Sequence, residues 1–115
     1  MIYSSLRSYR NSEINIALVT LDMLSRSGVT EDDCDDLANL AGQVAGNRVA
    51  ITVRELSIVP PQCKVSLRTD GAVDASRVCA LFGGGGHKMA AGCEMDMDPE
   101  ATAEALRRAV EEAGA

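Results

Sequence analysis

Aromatic side chains are almost absent from this chain of 115 residues, which contains no tryptophan, two tyrosines and one phenylalanine. A surface that binds long single-stranded nucleic acid normally stacks the bases on several aromatic rings, and this sequence offers few of them. The hydrophobic core must therefore be packed from aliphatic side chains, chiefly those of Val, Ile, Leu, Ala and Met.

Basic residues are also scarce, with 11 Lys and Arg against 17 Asp and Glu, which gives a formal net charge of −6. This excess of acid argues against a protein that binds a long nucleic-acid backbone by net charge. The acidic residues are concentrated in segments 31–36 and 94–112, whereas segment 63–93 carries more cations than anions. A small phosphorylated ligand bound within segment 63–93 remains compatible with the composition.

Metal-site spacings and membrane-spanning runs are missing as well. The four cysteines form no C-x-x-C pair and His87 is the only histidine, so we expect free buried thiols and no structural zinc. The acidic segment 31–36 lacks the glycine and distal glutamate of a calcium-binding loop and fits a solvated helix start. No apolar run approaches the roughly 18 residues of a membrane span, and residues 1–13 lack the apolar centre typical of a signal peptide. We therefore predict a cytoplasmic protein that makes no contact with a membrane.

Hydrophobic periodicity predicts a single domain of the α/β (mixed α+β) class, with a mixed sheet of about four to five strands covered by helices. Residues 1–13 show no pattern and are assigned to a linker or tail, which leaves residues 14–115 as the domain. The apolar run 14–19 is typical of a strand buried on both faces. Alternation at 49–54 and 63–69 predicts an antiparallel hairpin with one buried face.

Helix start and stop signals complete this outline. Helices are predicted at about 20–27, 30–45, 74–82 and 98–113, and Cys93 with Met95 begins a last strand. The last three helices each begin at a residue whose side chain accepts a hydrogen bond from the first turn, namely Thr30, Asp74 and Asp98.

The strongest chemical signal is the segment GGGGHKMAAG at residues 83–92. Four adjacent glycines cost roughly 0.5–1 kcal/mol each in backbone entropy relative to alanine, which a simple surface bend does not require. Successive N–H groups without Cβ atoms can form a concave anion site, so Gly84, Gly85 and Gly86 are predicted to donate to a phosphate. The segment matches neither of the two common glycine-rich nucleotide patterns. The alternative is a flexible glycine linker, which the following His-Lys and Ala-Ala-Gly disfavour.

Three side chains are predicted to share this anion. His87 and the weaker candidate Lys88 follow the glycines directly, and a helical turn from His87 to Ala91 would point its first amides at the same place. Arg68 lies on the polar face of its strand, and its planar fork of donors suits phosphate. The alternatives are an ordinary surface histidine and a solvated strand arginine.

No catalytic residue is predicted, because the single histidine has no evident partner and no metal triad can be assembled. The residues alone predict a binding domain for a phosphorylated ligand.

These residues also carry a resemblance to a known family. It rests on Val65-Ser66-Leu67-Arg68, on Gly71, Val73 and Asp74, on Phe82 with the following GGGGH, and on Ala90-Ala91-Gly92. This pattern, which extends over most of the chain, resembles the C-terminal DHH-associated domain of DHH-family phosphoesterases. Within that superfamily the sequence is most similar to the oligoribonuclease and pAp-phosphatase group, also described as exopolyphosphatase-related.

The resemblance implies a parent enzyme of two domains. An N-terminal DHH domain would hold a pair of divalent cations, usually manganese, which activate water against a phosphoester. The C-terminal domain would close over the cleft, with Arg68 and His87 as phosphate or nucleotide contacts and residues 84–86 as backbone donors. No Asp-His-His occurs in this sequence, so we expect the DHH catalytic domain to be absent from the chain and the isolated chain to be inactive. Met89 replaces a polar residue of the family, which argues against a base contact there.

The leading hypothesis is therefore the substrate-binding domain of a metal-dependent phosphoesterase that hydrolyses short oligoribonucleotides or pAp-like nucleotides, with RNA preferred to DNA. One alternative is a glycine-rich nucleic-acid-binding or oligomerisation domain of the alanyl-tRNA synthetase type, whose glycine run is not typically followed by His-x-x-Ala-Ala-Gly. A second alternative is a RecJ-like exonuclease fragment, which calls for stacking aromatics and a basic track. Expected partners are the parent's own DHH domain and a short nucleotide, and a homodimer stays open.

Overall fold

The structure is a computed structural model that describes residues 6–9, 13–21 and 48–113. Six strands in this part of the chain form one mixed sheet, in the order β1-β2-β3-β4-β6-β5. The strands are β1 (Leu6–Tyr9), β2 (Ile14–Val19), β3 (Val49–Ser57), β4 (Gln62–Thr69), β5 (Gly85–His87) and β6 (Ala90–Met95), and the helices are α1 (Ala75–Ala80) and α2 (Pro99–Glu112). This architecture confirms the mixed α+β class, with one or two strands more than predicted.

Strands β2 and β3 run parallel, with ladder partners from Ile14 and Val49 to Val19 and Arg54. Every residue of β2 is buried, which confirms the prediction of a strand covered on both faces. The predicted helices at 20–27 and 30–45 lie outside the described residues, apart from Thr20 and Leu21.

Strand β1 pairs antiparallel with β2 at one edge of the sheet, although residues 1–13 were predicted to be a linker or tail. Its sequence, Leu-Arg-Ser-Tyr, has no regular apolar alternation, so the strand is specified by its partner. Ser8 Oγ donates a hydrogen bond of 2.6 Å to Asn15 Oδ1 on β2. The Arg107 guanidinium of α2 lies 5.6 Å from the centre of the Tyr9 ring, within the range of a cation–π contact.

Strands β3 and β4 form the predicted antiparallel hairpin. On β4, Cys63, Val65 and Leu67 are buried. Lys64, Ser66 and Arg68 are exposed on the other side. We call the side of the sheet that carries these three residues the open face. The prediction of one buried face is confirmed for β4 and is wrong for β3, where Ala50 and Thr52 are buried as well.

The two described helices begin where their capping residues predicted. Asp74 Oδ1 accepts a hydrogen bond from the Arg77 amide at 3.2 Å, and Asp98 Oδ1 accepts one from the Ala101 amide at 2.7 Å. Helix α1 ends at Ala80, two residues earlier than predicted, and Leu81 is consequently 71% exposed. Helix α2 buries an apolar stripe, which consists of Ala103, Leu106, Ala109 and Val110.

The cap of α2 can be tested by substitution. Asp98→Ala is expected to lower the free energy of unfolding by about 1 kcal/mol, because the Ala101 amide loses its acceptor. Urea denaturation followed by circular dichroism measures the change. Asp96→Ala, which removes an exposed acid just before the helix, is the matched control and should have little effect. An equal loss in both variants would show that net charge, rather than capping, is responsible.

Three of the four cysteines are described, and Cys63, Cys79 and Cys93 are free and buried, as predicted. Cys34 and the acidic segment 31–36 lie outside the described residues. Burial raises the pKa of the Cys63 thiol, and a hydrogen bond to Cys93 together with burial raises the pKa of Cys79. These thiols act as packing groups of the core. In the described part of the chain, no helix is long and apolar enough to cross a membrane.

Candidate ligand site on the open face

The first two glycines of the run terminate helix α1. The Gly83 amide donates to the Ala80 carbonyl at 3.1 Å, and the Gly84 amide donates to the Cys79 carbonyl at 2.9 Å. With Gly83 at φ +80°, this pair of bonds forms a Schellman cap. The Gly84 amide, which was predicted to donate to a phosphate, is therefore engaged within the protein.

Two glycines allow the backbone to approach strand β6 closely. A Cβ atom on Gly84 would lie 2.2 Å from the Gly92 carbonyl oxygen, and one on Gly86 would lie 2.6 Å from the Cα of Ala91. Gly86 also has φ +152°, which side-chain-bearing residues rarely adopt. The glycine run is therefore required for the helix cap and for close packing against β6, in addition to any role in ligand binding.

Residues 85–95 form an antiparallel hairpin in which β5 and β6 are joined by Lys88 and Met89, which we call the hairpin tip. The helical turn from His87 to Ala91 that would have directed its amides at the anion does not form. The segment instead pairs with the sheet, because β4 offers β6 a full set of backbone partners.

The register also determines where the predicted backbone donors point. The Thr69 amide donates to the Met89 carbonyl at 3.0 Å, so the backbone carbonyl of Met89 faces β4. Because successive residues of a strand direct their N–H and C=O groups to opposite sides, those of Ala90 face β5. By the alternation of an antiparallel ladder, the amides of Gly85 and His87 then face β6, and the Gly86 amide faces away from it at the sheet edge. Gly86 is the one predicted glycine donor that this register directs outward.

Two of the predicted side chains meet in one row across the sheet. Arg68 pairs with Ala90, and Ala90 pairs with His87, so all three lie on the open face. With strands about 4.8 Å apart, the Cα atoms of Arg68 and His87 are separated by about 10 Å. Long polar side chains at this distance can both reach one phosphate group between them.

The neighbouring row consists of Ser66, Gly92 and Gly85. Because two of these three residues are glycines, the floor beside Arg68 and His87 carries almost no side chains. The next row places Lys64 opposite Glu94. The open face therefore combines a bare floor with cations at both ends of the β4 segment.

A cleft of about 630 Å³ lies along β4 and β6 where residues 82–84 pass them. Its lining includes Lys64, Ser66, Arg68, Phe82 and Glu94. Of the predicted site residues, Arg68 and Gly84 line this cleft, whereas Gly85, Gly86, His87 and Lys88 are exposed beside it. Ser66 and Glu94 were not among the predicted site residues. Alternation with Arg68 is a signal for Ser66, and only the strand register reveals Glu94.

The described residues offer no metal centre, since no three His, Cys, Asp or Glu side chains among them are grouped to hold an ion.

The family follows from a comparison with known domains. The model of the DHHA1 domain matches residues 13–115. The chain belongs to the DHHA1 domain family. This DHHA1 domain is 34% identical over 102 residues to the bifunctional oligoribonuclease and PAP phosphatase NrnA of Thermus thermophilus, and the match covers 84% of the chain and 30% of that enzyme. The resemblance drawn from the Arg68 and glycine-run motifs is thereby confirmed.

Solved structures share the fold of this DHHA1 domain. An exopolyphosphatase-related protein from Bacteroides fragilis superposes with a TM-score of 0.82 at 22% identity, covering 96% of this chain and 32% of that one. The C-Ala domain of alanyl-tRNA synthetase from Aquifex aeolicus superposes with a TM-score of 0.61 at 14% identity, covering 95% of this chain and 99% of that domain. The chain spans about a third of the length of the curated relative and of the Bacteroides protein.

Proposed function

We propose that this DHHA1 domain binds the phosphate-bearing part of a short oligoribonucleotide or pAp-like nucleotide within a phosphoesterase of the DHH type. The observation that carries the proposal is the row in which Arg68 and His87 flank Ala90 beside the floor of Gly85 and Gly92. The name of the Thermus relative, an oligoribonuclease and PAP phosphatase, supports the class of ligand.

Each of these side chains would contact the phosphate in a different way, according to its chemistry. The Arg68 guanidinium would donate two parallel hydrogen bonds to one phosphate, which is the geometry that its planar fork favours. His87 would donate from a ring nitrogen on the other side. The Gly86 amide faces away from β6, so it does not point at a phosphate between these two side chains. Lys88, at the hairpin tip, would contribute charge rather than a fixed contact.

Hydrolysis is assigned to the DHH domain of the parent protein and not to this chain. A manganese pair held there would supply the activated water, as two-metal sites do. The described residues of this chain do not fit such a pair, because they contain no suitable cluster of ligands. The domain's own contribution is to hold and orient the nucleotide.

A titration followed by nuclear magnetic resonance tests the binding proposal. Millimolar pAp should shift the amide signals of Gly85, Gly86 and His87, and adenosine, which lacks phosphate, should leave them in place. Signals of α2, on the other side of the sheet, are the internal control. Weak affinity is expected, because the described residues of this chain offer no metal ion to bind the phosphate as well. Unchanged signals at residues 85–87 would refute the proposal.

The likeness to the C-Ala domain keeps one other function in view, namely nucleic-acid contact or assembly of the alanyl-tRNA synthetase type. Light scattering measures the mass of the chain in solution. A His87→Ala variant that changes this mass while pAp binding stays the same would favour assembly over nucleotide binding.

A further inference from the structure

The hairpin tip is fastened to the rest of the domain through its two carbonyl groups. The Lys88 carbonyl accepts a hydrogen bond of 2.7 Å from the Ala75 amide, at the first residue of α1. The Met89 carbonyl accepts one of 3.0 Å from the Thr69 amide, at the end of β4. The position of the tip therefore depends on the segment that joins β4 to α1.

A single hydroxyl group organises that joining segment. Thr69 Oγ1 donates to the Val73 carbonyl at 2.7 Å, with the Lys88 carbonyl at 3.5 Å as a second acceptor, and it accepts a hydrogen bond of 3.1 Å from the Gly71 amide. Gly71 has φ +99°, so the turn closes tightly at this point. The hydroxyl thus holds the turn that carries Ala75 towards the hairpin tip.

Thr69 also connects the two residues proposed to bind the ligand, Arg68 and His87. It follows Arg68 directly in the chain, and the Lys88 carbonyl near its hydroxyl follows His87 directly. A change in the turn would move His87 relative to Arg68, because β4 is held by its neighbours on both sides whereas β5 is the edge strand.

We infer that Thr69 is a positioning residue that holds the hairpin tip, and with it the adjacent His87, in place relative to Arg68 for a phosphate bound between them. This inference rests on the proposed function, because the phosphate between Arg68 and His87 is part of that proposal. Thr69 itself is assigned no contact with the ligand. It differs from a purely structural role because its removal should alter ligand binding and the signal of His87 while the domain remains folded.

The test compares Thr69→Val, which keeps the shape and removes the hydroxyl, with Thr69→Ser, which keeps the hydroxyl. In Thr69→Val we expect hydrogen exchange of the Ala75 amide to become about fivefold faster and pAp binding to weaken about fivefold, as for the loss of one ordinary hydrogen bond. The His87 amide signal should also move in the absence of ligand. Thr69→Ser should restore all three readouts. Thr102→Val, at a buried threonine of α2, is the matched control and should change none of them.

The outcomes separate this inference from the proposed function. Unchanged exchange at Ala75 and an unmoved His87 signal in Thr69→Val would overturn the inference, whether or not pAp binds. If wild-type protein does not bind pAp at all, the proposed function fails, and the two ligand-free readouts still decide whether Thr69 holds the tip. Should Thr69→Val fail to fold, Thr69→Ala provides the same comparison without a branched side chain to accommodate.

Discussion

Replacing Gly84 by alanine is expected to lower the free energy of unfolding by about 3 kcal/mol, near the upper end of the usual range for overpacking. The new Cβ would lie 2.2 Å from the Gly92 carbonyl oxygen, 2.6 Å from the Cβ of Cys93 and 2.8 Å from its Cα. Two of these three atoms belong to the backbone of β6, so the conflict cannot be relieved by rotating a side chain. Either β5 separates from β6, or the cap of α1 opens.

Gly85→Ala is the matched control for this prediction, because a Cβ at Gly85 has nothing within 4 Å. We expect its stability to differ from wild type by less than about 0.5 kcal/mol. Urea denaturation of the two variants measures the difference. Equal stability of Gly84→Ala and Gly85→Ala would show that the close approach of residue 84 to β6 is not what the run of glycines serves. The methyl of Gly85→Ala would nevertheless rise from the floor beside Arg68, so weaker pAp binding is expected without a loss of stability.

Features with a local physical cause could be predicted from the sequence. Asp74 and Asp98 identified two helix starts, because a side-chain acceptor before an apolar periodic segment satisfies amides of the first turn. The apolar run 14–19 identified a strand buried on both faces, since a half-exposed strand would alternate. In both cases the signal lies within a few residues of the structure that it specifies.

Features that depend on a distant partner could not be predicted in the same way. Strand β1 is held by its ladder with β2 and shows no pattern of its own. Glycine without a Cβ serves an anion site, a helix cap and close backbone packing equally well, so the run alone could not distinguish them. The structure assigns Gly83 and Gly84 to the cap and leaves Gly86 directed outward.

In the candidate site, too, the individual residues could be predicted from local sequence, whereas their arrangement depends on a distant strand. Sequence chemistry selected Arg68 and His87 separately, one for its donor fork and one for its place after the glycines. Their alignment is produced by β6, which comes later in the chain than both and inserts between their strands. Because Ala90 pairs with each of them, the register of two ladders, rather than either motif, places them on one face.

Arg68→Ala is expected to weaken pAp binding by about tenfold to a hundredfold, which corresponds to the loss of hydrogen bonds between charged groups. Isothermal titration or the pAp titration described above measures the change. Arg68 is exposed on the open face, so the substitution should leave the unfolding transition close to that of wild type.

Arg68→Lys distinguishes the two ways in which this residue can act. A lysine keeps the charge but loses the planar pair of donors, so it should recover only part of the affinity lost in Arg68→Ala. Arg77→Ala, which removes an exposed cation from α1, is the control for net charge and should change binding little. Full recovery by lysine would mean that Arg68 acts as a point charge, and an equal loss in Arg77→Ala would mean that pAp responds to the overall charge of the domain. Only a graded series, with alanine weakest and lysine intermediate, supports a phosphate held in the fork of Arg68 opposite His87.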